Sequence, residues 1–234
     1  MTNKEDFIST VSHELRTPLT SIRGFAQTML SSWDKIDDQN KKKFVSIIEQ
    51  QSNRLIDLVE NILSVSKNSE DSAILKNVNA NNVIKAVLQI IEQQFVSHIV
   101  SLNLDSTNPH INVDVDKFQQ ILINLLENAI KYSNKGTKID ISTSHTDKFV
   151  LIKIKDEGIG IDDEYKEKIF EKFSRIDSPL TRKTQGSGLG LYITKMLVEN
   201  MNGEISVHTK EVGTEFEVKF PLYNIEEHVQ CSIK

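Results

Sequence analysis

A histidine and a glutamate stand side by side near the start of this sequence, in the run His13-Glu14-Leu15-Arg16-Thr17-Pro18. A neutral imidazole nitrogen is a usable nucleophile near neutral pH, because free histidine titrates near ~6.5. The neighbouring carboxylate can orient the ring or accept its proton. We therefore take His13 as a candidate nucleophile and Glu14 as the group that assists it.

The residues around His13 predict an amphipathic helix that leaves the imidazole in water. Apolar residues recur at helical spacing, namely at Phe7, Val11, Leu15, Ile22, Phe25 and Met29. At about 100° per residue, His13 lies roughly 200° from the centre of that stripe, together with Thr17 and Thr20. Pro18 cannot donate a hydrogen bond to the carbonyl of Glu14, so we expect the helix to bend there. An exposed histidine alone is also typical of an ordinary helix surface.

Residues 1–68 predict a helical hairpin. One helix should run from about Lys4 to Ser32 and a second from about Asp38 to Lys67, joined by a polar connection. The second helix carries its own apolar stripe, made of Phe44, Ile47, Ile48, Leu55, Leu58, Ile62 and Val65. Because an isolated pair of helices cannot bury both stripes, we expect two hairpins to form a four-helix bundle. Packing of the stripes against the rest of the chain is the alternative.

The remainder of the chain alternates short strands with helices. Residues 69–73 read as a polar linker, 74–223 as a second domain and 224–234 as a polar tail. The last two predicted strands, Glu204–His208 and Thr214–Phe220, follow each other like a hairpin, which favours a mixed sheet over a doubly wound parallel one. The predicted fold class is a helical hairpin followed by an α/β sandwich, whose mixed sheet is layered by helices.

Composition narrows the possible partners. The 234 residues carry a net charge of −5, and no run of Lys and Arg suggests a phosphate-backbone footprint, so we expect no direct nucleic-acid binding. The single cysteine, Cys231, excludes an intrachain disulfide and suits a reducing cytoplasm. No stretch approaches the ~20 consecutive apolar residues of a membrane span, and the N-terminus has no signal-peptide pattern.

A helix predicted from about Asp116 to Tyr132 gathers polar residues on one face. That face holds Asn124, Glu127, Asn128 and Lys131. The opposite, apolar face needs only a core to explain it, but two asparagines inside a helix suggest a ligand site because Asn is a middling helix former. An amide oxygen suits Mg²⁺, which bridges phosphates, and Lys131 can neutralise phosphate charge.

Two glycine-rich loops lie beyond this helix. The run Asp156-Glu157-Gly158-Ile159-Gly160-Ile161 follows a predicted strand, and its glycines allow a close approach of backbone to a ligand. The run Gly186-Ser187-Gly188-Leu189-Gly190-Leu191 opens a helix, whose free N–H groups favour phosphate. Its spacing fits neither the Rossmann fingerprint nor the P-loop. Either loop alone could also be a simple turn.

The run from Phe7 to Leu19, FISTVSHELRTPL, closely resembles the phospho-acceptor box of sensor histidine kinases of the HisKA type. This resemblance implies that His13 accepts the γ-phosphoryl group of ATP and that Glu14 assists the transfer. It also implies that Thr17 helps to position a hydrolytic water in the reverse, phosphatase reaction.

The later segments 124–133, 156–160, 170–173 and 186–191 resemble the nucleotide boxes of the GHKL ATPases in their histidine-kinase form. The resemblance implies that Asn128 binds Mg²⁺, that Asp156 reads the adenine amino group, and that a hydroxyl at Thr214, after Gly213, supports Asp156. The other implied nucleotide-binding residues are Asn124, Glu127, Lys131 near the phosphates, Tyr132 beside the base, Gly158, Gly160, Phe173, Arg175, Gly186, Gly188, Leu189 and Gly190. Residues 173–184 would form a mobile lid, in which Arg175, Arg182 or Lys183 could touch phosphate.

Both resemblances together predict a protein-histidine kinase that uses ATP and Mg²⁺, forms a homodimer and passes its phosphoryl group to an aspartate of a response-regulator receiver domain. The chain would be a soluble kinase or the cytoplasmic portion of a membrane receptor. One alternative is a dimeric scaffold that holds ATP without transfer, against which the intact His13, Glu14 and Asn128 argue. Another is an ATPase of the chaperone or topoisomerase kind, in which Glu127 would activate water, but such chains lack the hairpin.

Overall fold

The computed structural model describes residues 2–67, 73–174, 176, 187–209 and 212–223. The chain divides into two compact units, with the main boundary near residue 70. The first unit is helical and the second contains the sheets. The predicted fold class, a helical hairpin followed by an α/β domain with a mixed sheet, is confirmed.

The first unit is a hairpin of two long helices. Helix α1 spans Thr2–Ser32, a short 3₁₀ turn covers Trp33–Lys35, and helix α2 spans Asp38–Lys67. Helix α1 continues through Pro18, whose side chain is buried. A proline inside a helix leaves one carbonyl without its usual donor. The bend expected at this position stays a prediction.

Packing within the hairpin covers only part of its apolar surface. Leu58 and Met29 are buried, and the rings of Phe25 and Phe44 pack with centroids 5.1 Å apart. Six other apolar side chains on the two helices remain more than half exposed: Ile8, Leu19, Leu30, Val45, Ile56 and Leu63. These six residues lie outside the two predicted stripes, and they leave a large apolar surface of the hairpin uncovered.

The second unit follows the predicted alternation of strands and helices. Its elements are β1 (Lys76–Asn79), α3 (Ala80–Ile90), β2 (Ile99–Asn103), β3 (His110–Val113), α4 (Val115–Tyr132), β4 (Lys138–His145), β5 (Phe149–Asp156), α5 (Gly190–Asn200), β6 (Glu204–Thr209) and β7 (Thr214–Pro221). Short 3₁₀ turns cover Glu92–Phe95, Asp163–Tyr165 and Lys168–Phe170. Among the helices described, none is long and apolar enough to cross a membrane.

Five strands form the main sheet in the order β2-β4-β5-β7-β6. Strands β2 and β4 are parallel and the other neighbours are antiparallel, while β1 and β3 form a separate antiparallel pair. Alternate residues of β4 and β5 are buried, which is the pattern of a sheet covered on one face. Helix α4 packs against this face, where the rings of Phe118 and Phe220 meet edge to face at 5.6 Å.

The start of α4 is fixed by a side-chain cap. The Asp114 carboxylate accepts a hydrogen bond from the backbone N–H of Lys117 at 3.2 Å. Such a cap satisfies one of the free donors of the first helical turn and typically contributes ~1 kcal/mol. The direction of each polar side chain on α4 depends on where the helix begins and on which face is buried. The cap and the buried face therefore determine where those side chains lie.

Candidate functional site

The candidate nucleophile lies in water on α1. The His13 side chain is 77% exposed, and Thr17 and Thr20 on the same face are exposed as well, as the helical spacing predicted. The Nδ1 atom of His13 is 4.0 Å from the Oε1 atom of Glu14, which is beyond hydrogen-bond distance. The imidazole is therefore accessible and has a carboxylate beside it.

A residue that the sequence did not single out holds the other oxygen of Glu14. An NH2 nitrogen of Arg54, on α2, donates to Glu14 Oε2 at 3.2 Å. The Glu14 and Arg54 side chains are both mostly buried, with exposed fractions of 26% and 19%. The two residues are 40 positions apart, so only the side-by-side register of the two helices could have indicated the pair.

The hydroxyl of Thr17 bonds to its own helix. Thr17 Oγ1 donates to the carbonyl of His13 at 3.2 Å, one turn earlier. Ser12 and Thr20 make the same kind of bond to the carbonyls four residues before them. These bonds occupy the hydroxyl protons, while the oxygen lone pairs stay able to accept a hydrogen bond from water.

A shallow groove of about 350 Å³ runs along α1 beside these residues. It is lined by Ser12, Leu15, Arg16, Leu19, Thr20 and Arg23. Two arginines, two hydroxyl groups and two leucines give this surface both charge and apolar area.

Asp156 ends strand β5 and is 4% exposed. Its Oδ1 atom accepts hydrogen bonds from the backbone N–H groups of Gly158, at 2.7 Å, and Thr214, at 3.3 Å. Burial raises the pKa of Asp156, and these two hydrogen bonds oppose that shift by stabilising the ionised form. Within the part of the chain that the structure describes, Oδ2 accepts no hydrogen bond and can therefore accept one from a ligand. Thr214 thus supports Asp156 through its amide, where the sequence had indicated its hydroxyl.

Two glycines allow the backbone to close around Asp156. A Cβ at Gly158 would come within 2.5 Å of the Tyr132 carbonyl oxygen, and one at Gly213 would overlap the backbone oxygen of Asp156. Gly213 also has a φ of +85°, a backbone conformation that residues other than glycine rarely adopt. Hydrogen bonds from Ile159 to Tyr132, at 3.3 Å, and from Gly213 to Gly158, at 3.0 Å, join the three segments. The end of α4, the first glycine loop and the start of β7 therefore meet at this carboxylate.

The polar face of α4 contains the predicted residues, some of which are exposed and some partly buried. Asn128 is half-buried and Glu127 is exposed. The Lys131 Nζ atom lies 5.1 Å from the centre of the Tyr132 ring, which places a cation over an aromatic face. Asn124 donates from Nδ2 to the hydroxyl of a residue on α5 that the sequence did not indicate, the fully buried Thr194, at 3.3 Å. This bond helps to hold α4 against α5.

The second glycine loop leads into α5. Gly188 has a φ of +70°, and the Leu189 N–H donates to the Ser187 hydroxyl at 3.2 Å just before the helix begins at Gly190. Leu189 is buried. In the first loop Gly160 also has a positive φ, of +72°.

The predicted lid is covered only in part. Its first residue, Phe173, has a φ of +60°. Arg175, Arg182, Lys183 and Gly186 lie outside the described residues. The choice among the three basic lid residues stays open, and their proposed contact with phosphate stays a prediction.

Comparison with known proteins agrees with both halves of this description. The model of the His Kinase A (phospho-acceptor) domain matches residues 3–71, and that of the histidine kinase-, DNA gyrase B- and HSP90-like ATPase matches residues 113–224. The sensor protein SrrB of Staphylococcus aureus is 33% identical over 225 residues, which are 93% of this chain and 38% of SrrB. The chain thus spans about two fifths of the length of the curated relatives it matches.

Solved structures agree as well. The Acinetobacter baumannii histidine kinase AdeS is 27% identical over 91% of this chain and 98% of its own, with a TM-score of 0.70. The histidine kinase ThkA in complex with the response regulator protein TrrA is 26% identical over 93% of this chain and 61% of its own, with a TM-score of 0.77. The chain belongs to the sensor histidine kinases that join a HisKA phospho-acceptor hairpin to a GHKL-type ATPase domain, and the resemblance drawn from its sequence is confirmed.

Proposed function

We propose that this chain is an ATP-dependent protein-histidine kinase that phosphorylates itself on His13 and passes the phosphoryl group to an aspartate of a response regulator. One observation carries the proposal. A solvent-exposed histidine with a carboxylate beside it lies in a phospho-acceptor helix, on the same chain as a GHKL-type ATPase domain with a buried aspartate.

The transfer step follows from the chemistry of imidazole. The Nε2 atom of His13 attacks the γ-phosphorus of ATP, an N–P bond forms, and the bond to the oxygen that bridges the β- and γ-phosphates breaks, so that ADP leaves. Once Nε2 has attacked, the imidazole ring carries an extra positive charge until Nδ1 loses its proton. Glu14 Oε1, the nearby carboxylate oxygen, is the acceptor for that proton.

The second unit would hold the nucleotide through the residues gathered around Asp156. The free Oδ2 atom of Asp156 would accept from the adenine amino group, and Tyr132 would lie beside the base. Lys131 and the N–H groups at the start of α5 would face the phosphates, which favour a helix N-terminus. The positive φ angle of Gly160 keeps the backbone of the first glycine loop open to such close contacts.

The donor set suits Mg²⁺ bound together with the nucleotide. Among the residues that the structure describes, no group of three His, Cys, Asp or Glu side chains could hold a metal ion alone. Mg²⁺ commonly takes one or two protein ligands and completes its shell with phosphate oxygens and waters, and the amide oxygen of Asn128 would be such a ligand. When bound, the ion would neutralise charge on the phosphates.

The hairpin supports the proposed partners. Its uncovered apolar side chains favour a homodimer with a four-helix core, in keeping with the phospho-acceptor family. The groove along α1, which carries Arg16 in the turn after His13 and Arg23 farther along the helix, would receive the acidic site of a receiver domain. ThkA has been solved with such a regulator. In the phosphatase direction, the Thr17 oxygen would orient a water molecule towards the regulator's phosphoaspartate.

We also propose that this part of the protein works in the cytoplasm, either as a soluble kinase or as the cytoplasmic portion of a membrane receptor. The proposal rests on its substrates, since ATP and response regulators are found there. The single cysteine is compatible with a reducing compartment.

A metal-site variant tests the kinase assignment. Asn128→Ala should abolish Mg²⁺-dependent autophosphorylation, while Asn112→Ala, which changes an exposed asparagine on β3, should leave it intact. Incorporation of label from γ-labelled ATP, with Mg²⁺ or with a chelator, measures both. Undiminished Mg²⁺-dependent labelling in Asn128→Ala would remove the proposed metal ligand. ATP binding without any labelling of the wild-type chain would favour a nucleotide-holding scaffold.

A further inference from the structure

The two oxygens of the Glu14 carboxylate face two different groups within the hairpin. Oε2 accepts a hydrogen bond from Arg54 at 3.2 Å, and Oε1 lies 4.0 Å from His13 Nδ1. One oxygen is thus anchored on the neighbouring helix while the other points to the ring that must lose a proton. A glutamate without such an anchor would move among several side-chain rotamers.

The burial of Arg54 indicates that this contact is more than a surface ion pair. Its side chain is only 19% exposed, and its Nε atom is buried without a hydrogen-bond partner in the part of the chain that the structure describes. A partly buried guanidinium with an unused donor is unfavourable unless an opposite charge compensates it. Glu14 supplies that charge. Removing Arg54 would therefore break the ion pair and leave the Glu14 carboxylate free to move.

We propose that Arg54 is a positioning residue for phosphoryl transfer, which it assists by holding Glu14 Oε1 towards His13 Nδ1. The proposal rests on the proposed function and names a further residue that serves it. Arg54 neither gains nor loses a proton. The Nδ1 proton passes to Glu14 as the N–P bond forms at Nε2 and the bond to ADP breaks.

The same geometry selects one form of the neutral imidazole. A carboxylate held at Nδ1 favours the tautomer with its proton on Nδ1, because that N–H then has an acceptor. In this tautomer Nε2 carries a lone pair and is ready to attack. Arg54 would therefore prepare the nucleophile before ATP arrives, which gives the proposal a consequence that does not depend on activity.

The kinetic test uses Arg54→Met, Arg54→Lys and, as a matched control, Lys43→Met on the exposed face of α2. Arg54→Met should slow His13 labelling about tenfold at saturating ATP with an unchanged KM for ATP, since a general base contributes at least that much. Arg54→Lys keeps the charge and should recover most of the rate, and Lys43→Met should match the wild type. Circular dichroism checks that each hairpin is folded.

A double substitution separates positioning from a purely structural role. In a Glu14→Gln background, Arg54→Met should cause no further loss, because the group that Arg54 holds is already gone. A further loss of the same size in that background would overturn the proposal. So would labelling of Arg54→Met at the wild-type rate.

Nitrogen NMR of the His13 ring supplies the readout that is independent of activity. The wild type should favour the proton on Nδ1, and Arg54→Met should shift the ring towards the other tautomer. An unchanged tautomer ratio would overturn the proposal even if the variant labelled slowly. If the wild type were never labelled but the tautomer still shifted with Arg54→Met, the positioning would stand and the proposed kinase function would fail.

Discussion

Replacing Asp156 by asparagine isolates one contact of the proposed adenine site. The two side chains have nearly the same shape, and the amide oxygen can still accept from the backbone N–H groups of Gly158 and Thr214. The second oxygen becomes an NH₂ group, which donates where the carboxylate accepted. The adenine amino group would then face another donor.

The size of the effect follows from burial and charge. A hydrogen bond to a charged group contributes about 1.5–3 kcal/mol, and ~1.4 kcal/mol corresponds to a tenfold change in Kd. Because Asp156 is only 4% exposed, little water is present to replace the lost partner. We therefore expect Asp156→Asn to bind ATP about 10- to 100-fold more weakly.

The free protein should not lose stability at neutral pH. Burial raises the pKa of Asp156 above its ordinary value, so the ionised carboxylate is disfavoured in the folded state relative to the unfolded state. A carboxyl group whose pKa is raised by folding lowers the free energy of unfolding at pH values above its folded pKa. This destabilisation decreases as the pH falls from the folded pKa to the unfolded pKa. A neutral asparagine avoids the loss, so thermal unfolding at pH 7 should be unchanged or shifted upwards.

Calorimetric titration with Mg²⁺–ATP measures the affinity, and the triphosphate of purine riboside, which lacks the amino group, is the matched control ligand. Asp156→Asn should weaken ATP strongly and change the affinity for the control by less than about threefold. Equal losses for both nucleotides would show that Asp156 maintains the loop and does not read the base. Unchanged affinity for ATP would refute the adenine site.

Three further outcomes are expected. The hydrogen bond from His145 is the main reason that the pKa of Asp105 is lowered to about 2, so the ionised carboxylate stabilises the fold above its unfolded pKa. Asp105→Asn should therefore lower the free energy of unfolding in urea at pH 7, and this difference from the wild type should shrink as the pH falls towards 2. A difference that stays constant with pH would contradict this. Phe118→Ala empties a fully buried position and should cost about 3–5 kcal/mol in urea unfolding, against less than about 0.5 for Val96→Ala at an exposed one. Thr17→Ala should lower dephosphorylation of a phosphorylated receiver domain while autophosphorylation survives, and equal loss of both rates would reduce Thr17 to a helix-shaping residue.

Local patterns in the sequence were enough to predict most of the fold. Helical spacing and polar punctuation predicted α2 at its observed bounds, Asp38–Lys67, and α1 within two residues at its start. The exposed face of α1 followed from the same spacing, because a helix fixes the direction of each side chain relative to its neighbours. The mixed sheet followed from the succession of two strands before the end of the domain, which pair as β6 and β7.

Contacts between distant segments were beyond those patterns. Glu14 meets Arg54 across 40 positions, and Asn124 meets Thr194 across 70. Each pair depends on the register of two packed helices and on the rotamers chosen there, neither of which a periodic pattern determines. Asp156 accepts its hydrogen bond from the backbone N–H of Thr214. Sequence reasoning considered only the Thr214 side chain, because every residue except proline has a backbone N–H and the sequence does not indicate where it points.

The chemical nature of the labelled residue tests the central proposal most directly. The wild-type chain, incubated with Mg²⁺ and ATP labelled in its γ-phosphate, should acquire label that is lost in acid and retained in alkali, as expected of a phosphoramidate. His13→Gln should bind ATP normally and acquire no label. Label that survives acid, or label that persists at the wild-type level in His13→Gln, would contradict the assignment of His13 as the phosphoryl acceptor.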